Sequence, residues 1–430
     1  MRLKDFLMID KLLENEVKLG INTEREILMW LSVRNTVFRD QEAQTYNFGS
    51  TYSFGRKPHL FLKLFSALRY SLDIIRFITS RKSSRSLILI TGSNTSISDN
   101  SKDGYLDFCS AQEIDTISIS TGIQKLNADY SFYTITFVAN IIASVLSLIN
   151  ITATKKTLLA MLHSFQNTGD LHPTTVPTTF LLRKYYKNLV FTRLFRLALI
   201  THNKTFQDVY IEEGHYQEQV GLNKYFADHG VTVKEHQHGM VHYCHDAYNF
   251  PSALYDKYSP YLPTQFLVFD DFWSGLIRIP GNCTVIGWYQ HHEHTVNVEK
   301  VPDANPLCTF IGTGLDTAQT ISLFRQIRSV YKNVTVKFRP HPMEVIAASQ
   351  LLTDDEIDNL SLVETLTESK YIIGWFSTVL FEAQRYGCKV FAIENDYLTV
   401  SGLDKFILVG KLNDHDKLCH YFGEQTPEKN

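Results

Sequence analysis

From residue 307 onward the chain alternates between two hydrophobic periods, and this alternation limits its fold more than any other feature. "LCTFIGTG" (307–314), "VTVKFRP" (334–340), "YIIGW" (371–375) and "KVFAIE" (389–394) are short apolar runs ended or bounded by glycine, proline or a charge. Between them, "TAQTISLFRQIRSVYK" and "STVLFEAQRYG" carry helical spacing. Strand–helix–strand alternation predicts a parallel sheet, because parallel neighbours need a crossover, usually a helix. An earlier series points the same way: "SLILITG" (86–92), "DTISIS" (115–120), "FQDVYIEEG" (206–214), "VTVKEHQHG" (231–239), "TQFLVFDD" (264–271) and "CTVIGW" (283–288).

A chain of 430 residues is too long for one ordinary core, so two domains are expected. The polar stretch "YQHHEHTVNVEKVPDANP" (289–306) is the natural linker, giving α/β domains over 1–295 and 300–430. The first adds a helical extension: "TEREILMWLSVRNTVFR" (23–39) opens on a Thr23/Glu26 capping-box pattern. A basic apolar helix follows from about His59 to Thr79, after the break "NFGSTYSFGRKP". "KDGYLDFCSAQEI" reads as a turn and short helix. Residues 133 to 200 read as helical, interrupted at "HPTTVP" (172–177). "YTITFVANIIASVLSLINITA" (133–153) has membrane-spanning length, but its Asn and Ser residues favour a buried helix.

A formal charge of -3 and a pI of about 6.6 argue against a whole-molecule nucleic-acid binder. The six cysteines are scattered without a CxxC pair, which fits reduced thiols in a cytoplasm. The first twenty residues lack the uninterrupted apolar core of a secretory signal.

Several strand ends carry chemistry. In "VKFRPHPMEV", Pro340 and Pro342 fix the backbone on both sides of His341, just past a strand. An imidazole held there can donate to a phosphate; a stiff turn with an incidental histidine is the plainer reading. Ser377 and Thr378 open the helix after "YIIGW", where hydroxyls and first-turn amides can face an anion, with Glu382 about one turn further in. Gly312 and Gly314 form a glycine turn whose amides can reach a phosphate. Glu212, Glu213 and Gly214 follow a strand directly, and a carboxylate there can deprotonate a hydroxyl; a solvated acidic turn is the alternative. His236, His238, His242 and His245 cluster, but there is no HExxH pattern and Gly239 interrupts the run. A substrate loop containing His238, Gly239 and His242 fits better than a metal centre.

The order of Glu212-Glu213-Gly214, His341-Pro342 and Ser377-Thr378 resembles that in bacterial sialyltransferases, with related layouts in capsular Kdo transferases and CDP-glycerol polymerases. The likeness spans about 205 to 390; Glu-Glu and Ser-Thr depart from the commoner forms of those motifs. The resemblance implies a GT-B-like α/β fold with two Rossmann-like domains facing a cleft, an acceptor-binding first domain and a nucleotide-sugar-binding second one. It implies an inverting, metal-independent glycosyltransferase of bacterial surface glycans, without a cofactor. The base would be Glu213 or Glu212; His341, Pro342, Ser377, Thr378, Gly312, Gly314 and Glu382 would hold the donor. A CMP-activated sialic acid or Kdo is the preferred donor, with a glycan or lipid-linked acceptor. The alternatives are CDP-glycerol phosphotransfer, a UDP-sugar transferase or 2-epimerase, and a noncatalytic glycan-assembly component.

Two basic stretches bear on location. Residues 56–85 combine Lys63, Arg69 and Arg76 with Leu60, Leu64, Phe65, Leu68, Leu72 and Ile75 at helical spacing. Residues 181–200 repeat the pairing with Arg183, Lys184, Lys187, Arg193 and Arg196. A cytoplasmic protein peripheral to an anionic membrane surface is expected, unless both apolar faces are buried.

Overall fold

The computed structural model describes residues 3–46, 60–80, 84–90, 109, 112–122, 128–149, 152–167, 171–202, 206–212, 214–216, 219–237, 239–243, 245–287, 306–313, 317–330, 334–341, 344–375, 377–394, 408–411 and 421. Glu213, His238, Gly314, Pro342, "NFGSTYSFGRKP" up to Pro58, the "HHEH" stretch and most of "KDGYLDFCSAQEI" lie outside them. The chain forms two compact units that divide at Tyr289/Gln290.

The N-terminal unit begins with α1 (Leu3–Val17), α2 (Glu24–Tyr46) and α3 (Leu60–Thr79). It continues through β1 (Ser86–Ile90), β2 (Thr116–Ser120), β3 (Tyr130–Ser131), α4 (Tyr133–Ile149), α5 (Thr152–Asn167) and α6 (Thr178–His202). It closes with β4 (Asp208–Ile211), α7 (Val220–Asp228), β5 (Thr232–His236), α8 (Tyr255–Tyr258), β6 (Gln265–Val268), α9 (Asp271–Ser274) and β7 (Asn282–Val285). The seven strands pair in parallel in the order β3-β2-β1-β4-β5-β6-β7. Alternate residues feed cores on both faces, as a helix-covered parallel sheet requires. Leu87 and Leu89 join Phe77, Phe132, Phe195 and Phe226 on one side; Ile88 and Ile90 meet Tyr210 and Leu267 on the other.

The C-terminal unit contains β8 (Leu307–Ile311), α10 (Thr317–Val330), β9 (Thr335–Arg339), α11 (Val345–Leu351), α12 (Leu362–Glu368), β10 (Tyr371–Gly374), α13 (Val379–Arg385), β11 (Lys389–Ile393) and β12 (Leu408–Gly410). Its five strands are also parallel, ordered β12-β11-β10-β8-β9. Phe310, Phe338 and Phe324 pack ring against ring in its core. Tyr421 inserts beside Tyr371 and Phe391, and its hydroxyl donates to the carbonyl of Lys389 at 2.6 Å. Both units therefore have the expected α/β architecture.

The helical extension is fastened by a buried ionic cluster. The capping box at the start of α2 forms: Glu26 N donates to Thr23 Oγ1 at 3.2 Å, and Thr23 N to Glu26 Oε2 at 3.0 Å. One turn and a half further on, Trp30 packs on Phe38 and Phe165. Arg34, 1 % exposed, reaches Glu16 on α1 through Nε at 2.8 Å. Its Nη2 donates to the Asn249 carbonyl at 2.6 Å, and Nη1 to that of Asp246. Trp30 Nε1 and the Tyr258 hydroxyl also donate to Glu16 Oε1, at 2.7 and 2.9 Å. Two charges taken out of water are tolerable here because each is surrounded by hydrogen-bond partners.

Two helices differ from expectation. The segment from 133 is not a fully buried helix: α4 covers only Tyr133, Ile135, Ala139, Ala143 and Ser147, leaving Leu148 75 % exposed. Its side chains meet the core along one stripe because α6 and the sheet lie on one side only. The second basic stretch falls on α6, where Leu181, Leu182, Tyr185, Phe191, Phe195 and Leu199 are buried. That helix is a core element, and only Leu197 and Ile200 among its large apolar residues are exposed.

Replacing Arg34 with Met leaves Glu16 buried without its cation. The expected loss is about 3–5 kcal/mol of unfolding free energy in urea titration. A loss below about 1 kcal/mol would mean the cluster does not anchor the extension.

Candidate functional site

Strand order determines where each sheet can bind a ligand. In the C-terminal unit the chain leaves β8 for β9 on one side, then crosses to β10 on the other. The carboxyl ends of β8 and β10 therefore flank a topological switch point, where adjacent loops diverge and open a crevice. In register, Ile311 lies between Arg339 and Gly374, so the residues that follow all three leave the sheet at one level. Gly312, His341, Ser377 and Thr378 are those residues or lie within four positions of the strand ends.

Glu344 organises this rim. Its Oε1 accepts from the backbone N of His341 at 2.8 Å, and its Oε2 from Thr317 Oγ1 at 3.1 Å. Gly312 N continues the ladder to the Arg339 carbonyl at 2.8 Å. A Cβ on Gly312 would collide with Glu344 Oε1 and come within 2.9 Å of His341 N, so any larger residue must push the carboxylate and the turn at His341 aside. His341 is partly exposed, and burial lowers its pKa while Glu344 opposes that shift. Arg339 is occupied elsewhere: Nη1 donates to Asp358 Oδ2, Thr365 Oγ1 and the Leu360 carbonyl.

The hydroxyl pair is arranged less generously than expected. Ser377 Oγ accepts from Val379 N at 3.2 Å, which uses one of the first-turn amides expected to face an anion. Thr378 makes no side-chain cap, and α13 is only seven residues long. The dipole of so short a helix adds little, so the hydroxyls and His341 form the polar lining. Glu382 is 6 % exposed within α13, and burial, then its charge, push the Tyr386 phenol up to about 12. It faces the interior of the unit.

In the N-terminal unit the switch point lies between β1 and β4, and Glu212 follows β4 there. Glu212 is partly exposed and its N donates to the Leu89 carbonyl at 3.0 Å. The turn after it is tied down by β5. Glu235 is fully buried, and its Oε2 accepts from His215 N at 2.8 Å and from His215 Nδ1. Its Oε1 accepts from the Tyr248 hydroxyl at 2.8 Å. In the neutral ring, the Nδ1–H bond to the carboxylate leaves Nε2 as the acceptor. Gly214 is required by the same packing: a Cβ would lie 2.7 Å from Pro263 Cγ and 3.3 Å from Glu235 Oε2.

The histidine-rich loop folds above β5. Gln237, fully buried, donates through Nε2 to the Gly239 carbonyl at 2.9 Å and accepts from Phe269 N at 3.1 Å. His245 Nδ1 accepts from Ala247 N at 3.3 Å, so its Nε2–H donates to the Tyr216 hydroxyl, 3.1 Å away. His242 is buried beside His245, and burial first, then that ring, hold its pKa well below 6.5. Asp246 pairs with Arg39 at 3.1 Å. Among the described residues no group of His, Cys, Asp or Glu is arranged to hold a metal ion.

The structure thus brings Gly312, His341, Ser377 and Thr378 to one rim, and Glu212, Gly239 and His242 to loops at the carboxyl ends of neighbouring strands. It adds His215, Glu235, Tyr248 and the Tyr216–His245 pair. Of these, only His245 stood out in the sequence, as part of the histidine cluster; the rest become partners through the pairing of β4 with β5.

No family model matches the chain, and no curated protein does. Solved structures similar to it include the S. aureus MnaA–UDP co-structure, 12% identical, TM-score 0.41, covering 79% of this chain and 88% of that one. Another is a UDP-N-acetylglucosamine 2-epimerase, also 12% identical with TM-score 0.41, covering 81% and 93%. At this level the fold rests on the chain's own two parallel sheets.

Two outcomes follow from the geometry. Gly312→Ala must displace Glu344 and His341; ligand-free thermal melts should shift only modestly while nucleotide affinity falls, as read by calorimetry. Wild-type affinity would show that the rim is not a binding surface. Unfolded histidines take up protons near pH 6.5, whereas His242 and His341 resist doing so when folded. Stability is therefore full above pH 6.5 and falls as pH drops below it. His242→Gln should flatten that fall in urea titrations at pH 7.5 and 5.5, and an unchanged slope would contradict the assignment.

Proposed function

We propose that the chain is an enzyme acting on nucleotide-activated sugars, with the nucleotide phosphate bound at the rim of β8, β9 and β10. The observation that supports this reading is the convergence of Gly312, His341, Ser377 and Thr378 at a switch point in parallel register. A phosphate there would meet an imidazole, two hydroxyls and a glycine that permits close approach.

Within that class, the motif order favours inverting transfer to a surface-glycan acceptor, with CMP-sialic acid or CMP-Kdo as donor. Glu212 or Glu213 would take the proton of an acceptor hydroxyl. The hydroxyl oxygen would attack the anomeric carbon as the bond to the CMP phosphate breaks. His341, Ser377 and Thr378 would stabilise the departing phosphate. The His215–Glu235 pair would hold the acidic turn in place. CDP-glycerol phosphotransfer, UDP-sugar transfer and 2-epimerisation are rival uses of the same rim. The names of the similar structures make UDP and epimerisation worth an experimental arm.

The test begins with thermal shifts against CMP, CDP, UDP and GDP, followed by turnover of the nucleotide sugar that binds, with and without a glycan acceptor. Acceptor-dependent release of CMP supports transfer; a UDP-sugar isomerised without acceptor supports epimerisation. His341→Ala should raise donor KM roughly 10–100-fold, corresponding to about 1.5–3 kcal/mol for a lost hydrogen bond to phosphate. Glu212→Ala or Glu213→Ala should lower kcat about 10²–10⁴-fold while nucleotide still binds. No shift with any nucleotide, or an unaffected His341→Ala variant, would defeat the proposal.

A further inference from the structure

The N-terminal unit carries an apolar surface on two helices that pack together. Along α3, Leu64, Phe65, Leu68, Leu72 and Ile75 are 45%, 58%, 65%, 59% and 57% exposed. At 3.6 residues per turn they fall within an arc of about 100°. On α4, Val138, Ile141, Ile142, Val145, Leu148 and Ile149 are also exposed, within an arc of about 120°. The opposite sides of both helices are held in the unit. Ala67 and Phe77 of α3 and Ile135, Ala139 and Ala143 of α4 are buried. Thr134 Oγ1 donates to the Ala67 carbonyl at 2.6 Å, and Phe77 packs edge-on against Phe132. The exposed stripes are therefore not frayed ends but fixed faces.

Charge selects what covers them. Arg69 and Arg76 border one edge of the α3 stripe, whereas Lys63 falls on the side of Ala67 and Phe77. The single acid of α3, Asp73, is buried; it accepts from Ser131 N at 3.2 Å and pairs with Arg76 Nη1 at 3.3 Å, while the Arg76 side chain stays 71% exposed. No acidic residue occurs on α4. An apolar stripe edged by Arg69 and Arg76 and free of exposed acids matches a bilayer with anionic headgroups, where alkyl chains take the stripe and phosphates the cations. A second copy of the chain would set these cations against one another.

We propose that α3 and α4 form a docking face for an anionic lipid bilayer, on which the N-terminal unit lies with both helices along the interface. Among the described residues no single helix is long and apolar enough to cross a membrane. The buried sides of α3 and α4 keep each helix attached to the sheet, which suits adsorption.

The full chain is tested by co-sedimentation with phosphatidylcholine vesicles and with vesicles that also contain phosphatidylglycerol. Binding should require the anionic lipid at low salt. It should weaken as the Debye length falls from ~30 Å at 0.01 M salt to ~8 Å at 0.15 M. The combined Arg69→Gln and Arg76→Gln variant should bind about 30-fold more weakly, and Leu68→Ser with Leu72→Ser at least ~10-fold more weakly. Arg69, Leu68 and Leu72 are exposed, so circular dichroism melts of Arg69→Gln and of the double Ser variant should stay near wild type; Arg69→Gln alone leaves the Arg76–Asp73 pair intact and should still weaken binding. Phe65→Trp should show a blue-shifted emission with anionic vesicles only. Equal binding to both vesicle types, no binding at low salt, or full binding by the double Gln variant overturns the proposal. So does a dimer by light scattering that Leu68→Ser dissociates in a protein that ignores vesicles.

Discussion

Parallel pairing governs everything chemically notable in this chain. A parallel strand cannot turn back on itself, so each one returns through a crossover and all carboxyl ends gather on one rim of their sheet. In the C-terminal unit that rim receives Gly312, His341 and Ser377 from segments separated by up to 65 residues. The register of β9, β8 and β10 brings them to one level. In the N-terminal unit the same rule sets Glu212 beside the loops that follow β5. Neither set depends on a dedicated binding motif in the usual sense; each depends on where strands stop.

Loops on such rims must still be held, and here buried polar side chains do so. Glu235 fixes the turn after Glu212 through His215 and reaches the histidine-rich loop through Tyr248. Gln237 clasps Gly239 on one side and Phe269 on the other. Arg34 ties α2 to the carbonyls of Asp246 and Asn249. All but the Tyr248 contact fix backbone that an apolar side chain could only pack against, which suits loops that must keep a defined shape without strands of their own.

Much of this was readable without coordinates, for identifiable reasons. The runs that became β8 to β11 are apolar and punctuated by glycine, proline or a charge, so periodicity finds them. Nothing marks "LVG" as β12, and two-residue β3 is too short for any periodicity. Amphipathicity located the apolar stripe of α3 but could not say whether another element covers it, since that depends on packing distant in sequence. The same helical pattern in α6 turned out buried. His215 and Glu235 lie twenty positions apart in sequence, and only the pairing of β4 with β5 makes them partners. The hydroxyl pair was found by position, yet the use of Ser377 Oγ by Val379 N is a local geometric detail no pattern encodes.

Glu344 joins three separate parts of the C-terminal unit. One oxygen holds the backbone at His341, the other holds the start of α10 through Thr317, and the carboxylate fills the space that a side chain at 312 would need. These positions cannot drift independently over evolutionary time. A lineage that loses the acid removes the nearest obstacle to a side chain at 312, but the backbone nitrogen of His341 must also move and the turn there needs another anchor. Correlated variation among 312, 317, 341 and 344 is therefore the trace this carboxylate should leave in any set of homologous sequences.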